Sequence, residues 1–379
     1  MKRDIAIYKA SLDNEELTQI RSVLESKDDL SKAIEFEENM TKFIGSKYAV
    51  ATSTSTSAIH LALSAIKLKR GDKILMSVNS FVNVPEVVRH FDAEPIFIDI
   101  NTEDMNIDVN KFEKALAENK TKKLRGAIIT FVAGQTPDLD RIYDIAEEYG
   151  IILIEDATCA LGVTYNDETV GSLRADMTIF STNPSNGKYS ESRSGMIVTN
   201  NEEIAERARL LRTHAITTTY DDFGNLDYIY DVVDIGHKYD ISELDAAFSL
   251  AQLKKTNKFI KRRKEIAKIY KDRLSDIKHV TIPQHKDEHI FTHFIIKISR
   301  NRDAFARALK ERGVATGLNY IPLHLLSYYK NKYSIKITAF SSALTSYQQI
   351  LSIPMYPSLT DDDVNYICDQ IIEIASEWV

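Results

Sequence analysis

Short β-rich runs alternate with runs of helical period through the N-terminal half of the sequence. The run YAVATS at 48–53 precedes a helical pattern in which Ile59, Leu63 and Ile66 share one face, and the rhythm continues to IILIEDA at 151–157. The segment 151–154 is continuously apolar, as expected of a strand buried on both faces. The pattern predicts a mostly parallel sheet covered by helices, an α/β fold.

The length of the chain predicts two domains. With 379 residues, of which 44% are hydrophobic, it exceeds the size at which a single core usually stops growing. We assign a large α/β domain with an N-terminal helical segment to 1–250 and a smaller α+β domain to 251–379. A charged helix from about Ser242 to Ser275 should bridge them. Its predicted apolar stripe consists of Leu244, Ala247, Phe248 and Ala251.

Charge and cysteine content exclude several classes of protein. The net charge of −7 arises from 55 acidic and 48 basic residues spread along the chain, without the basic stripe that nucleic acid requires. Cys159 and Cys368 stand far apart, which argues against a disulfide framework and a zinc site. No apolar run suits a signal peptide or a membrane span. We therefore expect a cytoplasmic protein with no nucleic-acid or membrane partner.

Two acidic residues end a buried strand. Glu155 and Asp156 follow the apolar segment 151–154, at the carboxyl edge where ligands of open α/β folds bind. An acid in this position is also common as a helix cap or as one half of a structural ion pair. Taken alone, the pair is a weak indication of a site.

A hydroxyl-rich turn and an aromatic residue strengthen that indication. Thr54, Ser55 and Thr56 link a strand to a helix start, which suits an anion site and also an ordinary N-cap. Phe81 follows the strand KILMS near the same sheet edge, where its ring could lie on a planar cofactor or belong to the core. Together these residues predict a pocket for a planar ligand that carries a phosphate.

The order and spacing of the motifs resemble a known family. From Phe36 to about Pro357 the chain is similar to the DegT/StrS sugar aminotransferases, pyridoxal-phosphate enzymes of fold type I, the aspartate aminotransferase-like class. The resemblance implies a homodimer with active sites at the subunit interface, a nucleotide-linked keto sugar of the 4-keto-6-deoxyhexose type, and glutamate as amino donor. Matching segments include FEENMTKFIGSKYAVATSTSTSAIHLAL, GDKILMSVNSFVNVPEVV, GQTPDLDRIYDIAEEYGIILIEDA, ISELDAAFSLAQLKK, GVATGLNYIPLHL and ILSIPMYPSLTDDD.

The resemblance assigns roles to individual residues. Asp156 would hold the proton on the pyridine nitrogen, so that the ring can act as an electron sink. Phe81 would stack on the ring. The phosphate would be held by Thr54, Ser55, Thr56 and Ser181. In the segment GLNYIPLHLLSYY, the candidates for contact with sugar or diphosphate are Asn319, Tyr320 and His324; a structural strand-to-loop connection is the alternative.

The segment expected to carry the cofactor lysine departs from the family. The family reads FSFHPxK, and counting five residues from Ser181 reaches Asn186, whereas Lys188 lies two residues later. Counting back from Gly195 reaches Gly187, so the turn is rebuilt around at least one inserted residue. Lys188 is either the lysine that binds the cofactor, with Asn186 beside it in the pocket, or a solvated loop lysine.

Three further positions differ. Cys159 replaces a glutamine near the ring, and GHKYD replaces the family's GxNYR, so that Lys238 stands where an asparagine reaches the partner's phosphate. Lys238 would then add a cationic phosphate contact or reach the cofactor across the interface, while Asp240 in place of an arginine would repel anions. The family's GEGG reads SRSG at 192–195.

These changes leave three function classes open. In the first, Lys188 binds the cofactor and the protein is a sugar aminotransferase involved in making surface polysaccharide or another glycan. In the second, the protein resembles the sugar dehydratases, which bind the cofactor without a covalent lysine and use histidine there, although 179–200 holds no histidine. In the third, it is a catalytically degenerate homologue. We take the first as the prediction.

Overall fold

The structure is a computed structural model that describes residues 3–26, 31–182, 193–218 and 229–378. The α-helices are α1 (Asn14–Glu25), α2 (Lys32–Ile44), α3 (Ser55–Ala65), α4 (Asn83–His90), α5 (Val109–Glu118), α6 (Leu139–Tyr149), α7 (Glu202–Arg212), α8 (Glu243–Leu274), α9 (Arg302–Glu311), α10 (Ser327–Lys332), α11 (Ser341–Gln349) and α12 (Asp361–Ser376). The strands are β1 (Tyr48–Thr52), β2 (Lys73–Ser77), β3 (Glu94–Ile98), β4 (Leu124–Thr130), β5 (Ile152–Asp156), β6 (Thr164–Tyr165), β7 (Glu168–Thr169), β8 (Met177–Phe180), β9 (Gly195–Thr199), β10 (Ile216–Thr218), β11 (Tyr230–Val232), β12 (Val280–Thr281), β13 (Phe294–Ile298) and β14 (Ile350–Ile353).

A seven-stranded sheet forms the centre, with strand order β1-β9-β8-β5-β4-β2-β3. Strand β9 is antiparallel to both of its neighbours, whereas β8, β5, β4, β2 and β3 pair in parallel. The predicted mostly parallel α/β sheet is therefore confirmed. Since β1 runs in the same direction as β8, the carboxyl ends of β1, β8, β5, β4 and β2 meet at one edge.

Both faces of this sheet are covered by helices. Successive side chains of a strand point to opposite faces, so Leu153 joins a core beneath α2, α5, α6 and α8, while Ile154 joins a second core beneath α3, α4 and α7. Burial on both sides explains why the strand sequences are continuously apolar rather than alternating.

A third core lies in the C-terminal part of the chain. The antiparallel strands β12, β13 and β14 pack with α9 and α12, and Ile5 joins this core through a parallel bridge to Val314. N-terminal residues thus contribute to the core of the C-terminal elements. The division at residue 250 stays a prediction.

Helix α8 connects the cores, as the sequence predicted, and begins at the N-cap Ser242. Leu250 packs in the first core and Tyr270 in the C-terminal core, so the helix runs unbroken through position 250. The prediction for Leu244 was wrong: its side chain is 44% exposed, whereas Ala247, Phe248 and Ala251 are buried. Across the described ranges, no helix combines the length and the apolar character needed to cross a membrane.

Candidate active site

Asp156 lies at the carboxyl edge of the sheet, where it ends β5 opposite Thr130 of β4. Its Oδ1 accepts hydrogen bonds from the Thr158 hydroxyl at 2.8 Å and from the Thr158 backbone N–H at 3.4 Å. The Thr130 hydroxyl donates to Oδ2 at 3.3 Å. No basic side chain within the described part of the chain forms an ion pair with this carboxylate, and burial raises the pKa of Asp156. This edge of the sheet thus holds a buried acid that has no cationic partner in the described ranges.

The hydroxyl turn caps helix α3. Thr54 is the N-cap, and its Oγ1 accepts a hydrogen bond from the Ser57 backbone N–H at 3.0 Å. Its side chain is therefore used within the turn, as the N-cap alternative predicted. The N–H groups of Ser55 and Thr56 stand in the first turn, where a helix offers them no acceptor of its own. Together with the helix dipole they form the part of the turn that suits an anion.

Phe81 and Tyr320 border the same edge. The ring of Phe81 is 53% exposed, so the core alternative for this residue was wrong. Its centroid lies 6.1 Å from that of Tyr320, with the planes inclined by 52°. The backbone N–H of Tyr320 donates to Asn79 Oδ1 at 3.1 Å, which holds the C-terminal segment against the loop that follows β2.

Cys159 lies beside Tyr320. Its Sγ is 3.9 Å from the Tyr320 hydroxyl, and its backbone carbonyl accepts a hydrogen bond from the Thr292 hydroxyl at 2.5 Å. Burial, followed by the charge of Asp156, raises the pKa of the Cys159 thiol to about 12. The thiol therefore stays protonated at neutral pH and is a poor nucleophile.

Lys188 and Asn186 lie outside the described residues, but the structure describes the residues that flank their segment on both sides. Ser181 follows β8 and is buried, and the next residue, Thr182, is joined through its hydroxyl to Ser194 Oγ at 2.8 Å. Gly195 begins β9 so close to the hydroxyl turn that a Cβ there would lie 2.2 Å from the Thr54 carbonyl oxygen. The segment that holds Lys188 thus leaves and re-enters the fold at the edge where Asp156 lies.

The segment that contains Lys238 lies beside the hydroxyl turn. The carbonyl of Tyr239, the next residue, accepts a hydrogen bond from the Ser53 backbone N–H at 2.8 Å. The Lys238 ammonium lies 2.9 Å from a carboxylate oxygen of Asp240, and its side chain is 63% exposed. Asp240 therefore pairs with Lys238 within the chain, and the repulsion of anions expected from Asp240 is offset by this ion pair.

The three substrate candidates differ in their surroundings. Tyr320 contacts two other predicted site residues, as described above. Asn319 is buried and accepts a hydrogen bond from Ser352 Oγ at 2.8 Å. His324 is fully buried, with Nε2 3.0 Å from the Ile337 carbonyl oxygen and its ring beside Phe340. Asn319 and His324 thus make these contacts within the C-terminal part, and a substrate role for them stays a prediction.

Sequence reasoning missed the residues that orient Asp156 and Tyr320. Thr158 follows Asp156 by two positions, a spacing at which a short hydroxyl side chain bonds an aspartate locally, so this partner had a signal in the sequence. Thr130 and Asn79 had none, since they reach Asp156 and Tyr320 only through strand pairing and the approach of distant segments.

Comparison with known proteins gives matches over nearly the whole chain. Residues 10–372 match the DegT/DnrJ/EryC1/StrS aminotransferase family. An uncharacterized protein of Methanocaldococcus jannaschii is 32% identical over 385 residues, covering 98% of this chain and 97% of that protein. The spore coat polysaccharide biosynthesis protein SpsC of Bacillus subtilis is 31% identical over 375 residues, covering 95% and 94%.

The fold has a close structural counterpart. Helicobacter pylori PseC, an aminotransferase involved in the biosynthesis of pseudoaminic acid, superposes with a TM-score of 0.90 at 24% identity, covering 99% of this chain and 100% of that one. This likeness confirms the predicted fold. The matched family uses pyridoxal phosphate, which confirms the predicted cofactor. The chain belongs to the DegT/DnrJ/EryC1/StrS aminotransferase family.

Proposed function

We propose that the protein is an aminotransferase that moves the amino group of glutamate to a nucleotide-linked keto sugar of the 4-keto-6-deoxyhexose type. The aminated sugar would serve the synthesis of a surface polysaccharide or another glycan. Relatives named for spore coat polysaccharide and pseudoaminic acid synthesis support this choice. The observation that carries the proposal is the buried carboxylate of Asp156, which lacks a cationic partner among the described residues.

The residues present fit pyridoxal phosphate. A protonated pyridine nitrogen would supply the positive charge that Asp156 lacks, and burial would strengthen that pairing. The exposed ring of Phe81 offers an apolar surface beside the acid. The start of α3 offers the N–H groups of Ser55 and Thr56 to a phosphate. A buried acid, an open aromatic face and an anion-binding turn are the three features such a cofactor requires.

When bound, pyridoxal phosphate supplies an electron sink for bond changes at the substrate carbon. Asp156 would keep the proton on the pyridine nitrogen, and the hydroxyls of Thr130 and Thr158 would fix the orientation of its carboxylate. Phe81 and Tyr320 would exclude water from one side of the site. Lys188, the only lysine in 179–200, would hold the cofactor and, as a neutral amine, take up and return the proton of the reacting substrate carbon.

We also propose that the active protein is a homodimer. Strand β11 and the residues after it expose large apolar side chains, with exposed fractions of 61% for Tyr230, 52% for Val232, 54% for Val233 and 84% for Ile235. Neighbouring apolar side chains exposed to this extent are typical of interaction surfaces. Sedimentation at micromolar concentration should give a dimer, and a stable monomer would contradict this part of the proposal.

Reduction with borohydride tests the role of Lys188. The purified protein should show a visible absorbance band that borohydride removes, and peptide mapping should place the reduced cofactor on Lys188. The variant Lys188→Ala should lose the band and amino transfer while it keeps its fold. Lys238→Ala should keep the band and weaken cofactor affinity by about 1.5–3 kcal/mol, the contribution of one charge-assisted hydrogen bond.

Two outcomes would contradict these expectations, and each would overturn a different one. A label on Lys238 would move the covalent lysine to the 237–240 segment and overturn the assignment of Lys188. Absence of any band from the wild-type protein loaded with cofactor would instead identify a homologue that has lost this chemistry.

A further inference from the structure

Arg263 differs from the charged residues around it on α8. It belongs to the run KRRK at 261–264, which in sequence looks like a solvated helix face. In the structure its side chain is partly buried, and its Nε donates a hydrogen bond to the Ile290 carbonyl oxygen at 2.9 Å. Its guanidinium therefore turns inward, towards the segment that precedes β13.

No carboxylate in the described part of the chain forms an ion pair with Arg263. The adjacent Arg262 is bound by Asp361 at 2.6 Å and by Glu265 at 3.4 Å, so the two arginines are both partly buried but differ in their partners. Burial lowers the pKa of Arg263 to about 10, and burial followed by the positive charge of Arg263 lowers the pKa of His293. A partly buried guanidinium with no counter-ion among the described residues keeps charged donors available for an anion.

A small cavity lies in front of this guanidinium. Its volume is about 30 Å³, and its polar lining includes Cys159, Ser181, Thr182, Gln252 and Thr292. Such a volume holds one or two waters or a carboxylate group, and it is too small for a sugar nucleotide. Cys159 and Ser181 also belong to the predicted cofactor pocket, so the cavity adjoins the place where the amino donor must react.

We propose that Arg263 forms the subsite for a carboxylate of the amino donor. The planar guanidinium has donors besides Nε, and its geometry matches the two oxygens of a carboxylate. Binding there would fix one end of the donor at the wall of the cavity that Cys159 and Ser181 also line. No proton or electron moves in this step. The inference rests on the proposed function, because it names where that reaction holds its donor.

The variant Arg263→Met tests the subsite, and Arg262→Met is the matched control on the same helix. Calorimetric titration of each cofactor-free protein with 2-oxoglutarate, the keto acid that glutamate leaves behind, measures binding without catalysis. Arg263→Met should weaken this binding about tenfold or more, as expected for loss of a charge-assisted contact. Arg262→Met should bind as the wild type does. Equal affinity in Arg263→Met and wild type would overturn the proposal.

A second variant provides a test that does not depend on the folding of Arg263→Met. Arg263→Lys keeps the positive charge but not the planar pair of donors, so it should bind 2-oxoglutarate more weakly than wild type and more tightly than Arg263→Met. If Arg263→Met does not fold, wild-type affinity in Arg263→Lys would overturn the proposal instead.

The two proposals fail separately. With cofactor loaded, Arg263→Met should raise KM for glutamate by the same factor and leave KM for the sugar substrate unchanged. Amino transfer by Arg263→Met with an unchanged KM for glutamate would refute the carboxylate subsite and leave the aminotransferase proposal intact. Binding of 2-oxoglutarate that depends on Arg263, in a protein that transfers no amino group, would support the subsite and refute the proposed function.

Discussion

Replacing Asp156 with asparagine should weaken cofactor binding without unfolding the protein. Asparagine has the same shape, and its carbonyl oxygen can still accept the two hydrogen bonds from Thr158. The Thr130 hydroxyl, which now donates to Oδ2 at 3.3 Å, can instead accept from the new amide. The substitution therefore removes the charge of a buried carboxylate and little else.

The size of the effect follows from burial. Asp156 is 4% exposed, so little water screens the charge that would face the pyridine nitrogen. Loss of one charge-assisted hydrogen bond corresponds to about 1.5–3 kcal/mol, or roughly tenfold to 150-fold in affinity. The stability of the cofactor-free protein should not fall in the same variant. Because burial raises the pKa of Asp156, the ionised form costs free energy above that pKa, and the cofactor-free variant should be at least as stable as wild type near pH 7.

The assay has two parts. Fluorescence titration with pyridoxal phosphate gives the dissociation constant, and urea unfolding of the cofactor-free protein gives its stability. Asp176→Asn is a suitable control, because Asp176 precedes β8 at the opposite edge of the sheet, where burial also raises its pKa and its carboxylate accepts from the Leu153 N–H at 2.8 Å. Asp176→Asn should leave cofactor affinity unchanged. Wild-type affinity in Asp156→Asn would refute the assignment of Asp156 to the cofactor site.

Two further predictions concern neighbours of this edge. Gly195→Ala would place a Cβ 2.2 Å from the Thr54 carbonyl oxygen, so it should destabilise the fold by about 1–3 kcal/mol and lower cofactor affinity. The control Gly317→Ala, whose Cβ would lie 3.4 Å from its nearest atom, should be tolerated. Equal melting temperatures for the two variants would contradict this prediction. Glu155 is buried against the Tyr143 and Thr178 hydroxyls, and burial raises its pKa from 4.5 to about 7. Glu155 holds its proton more tightly in the folded state, so its contribution to stability is fully present below pH 4.5 and should fall by about 3 kcal/mol as the pH rises towards 7. The unfolding free energy of Glu155→Gln should lack this pH-dependent loss. Identical pH profiles for the variant and wild type would refute the prediction.

The sequence by itself determined the layered α/β architecture. Apolar periodicity and length distinguish buried strands from helices, and the carboxyl ends of parallel strands must meet at one edge, so the sequence alone predicts Asp156 and the Thr54 turn at the same edge. The N-cap Ser242 likewise marked the start of α8. These signals are local in the chain, and local spacing is what a sequence records directly.

Tertiary structure alone decided which side chains turn inward. Arg263 donates to the Ile290 carbonyl while Arg262, in the same charged run, pairs with acids, because helix α8 passes between two cores and one side of it faces the segment before β13. Leu244 stays exposed for the same reason, since the described elements leave that side of the helix uncovered. Tyr320 meets Cys159 across 161 positions of the chain, a contact that no local pattern encodes. Such contacts depend on how distant elements pack, so they appear only once the chain is folded.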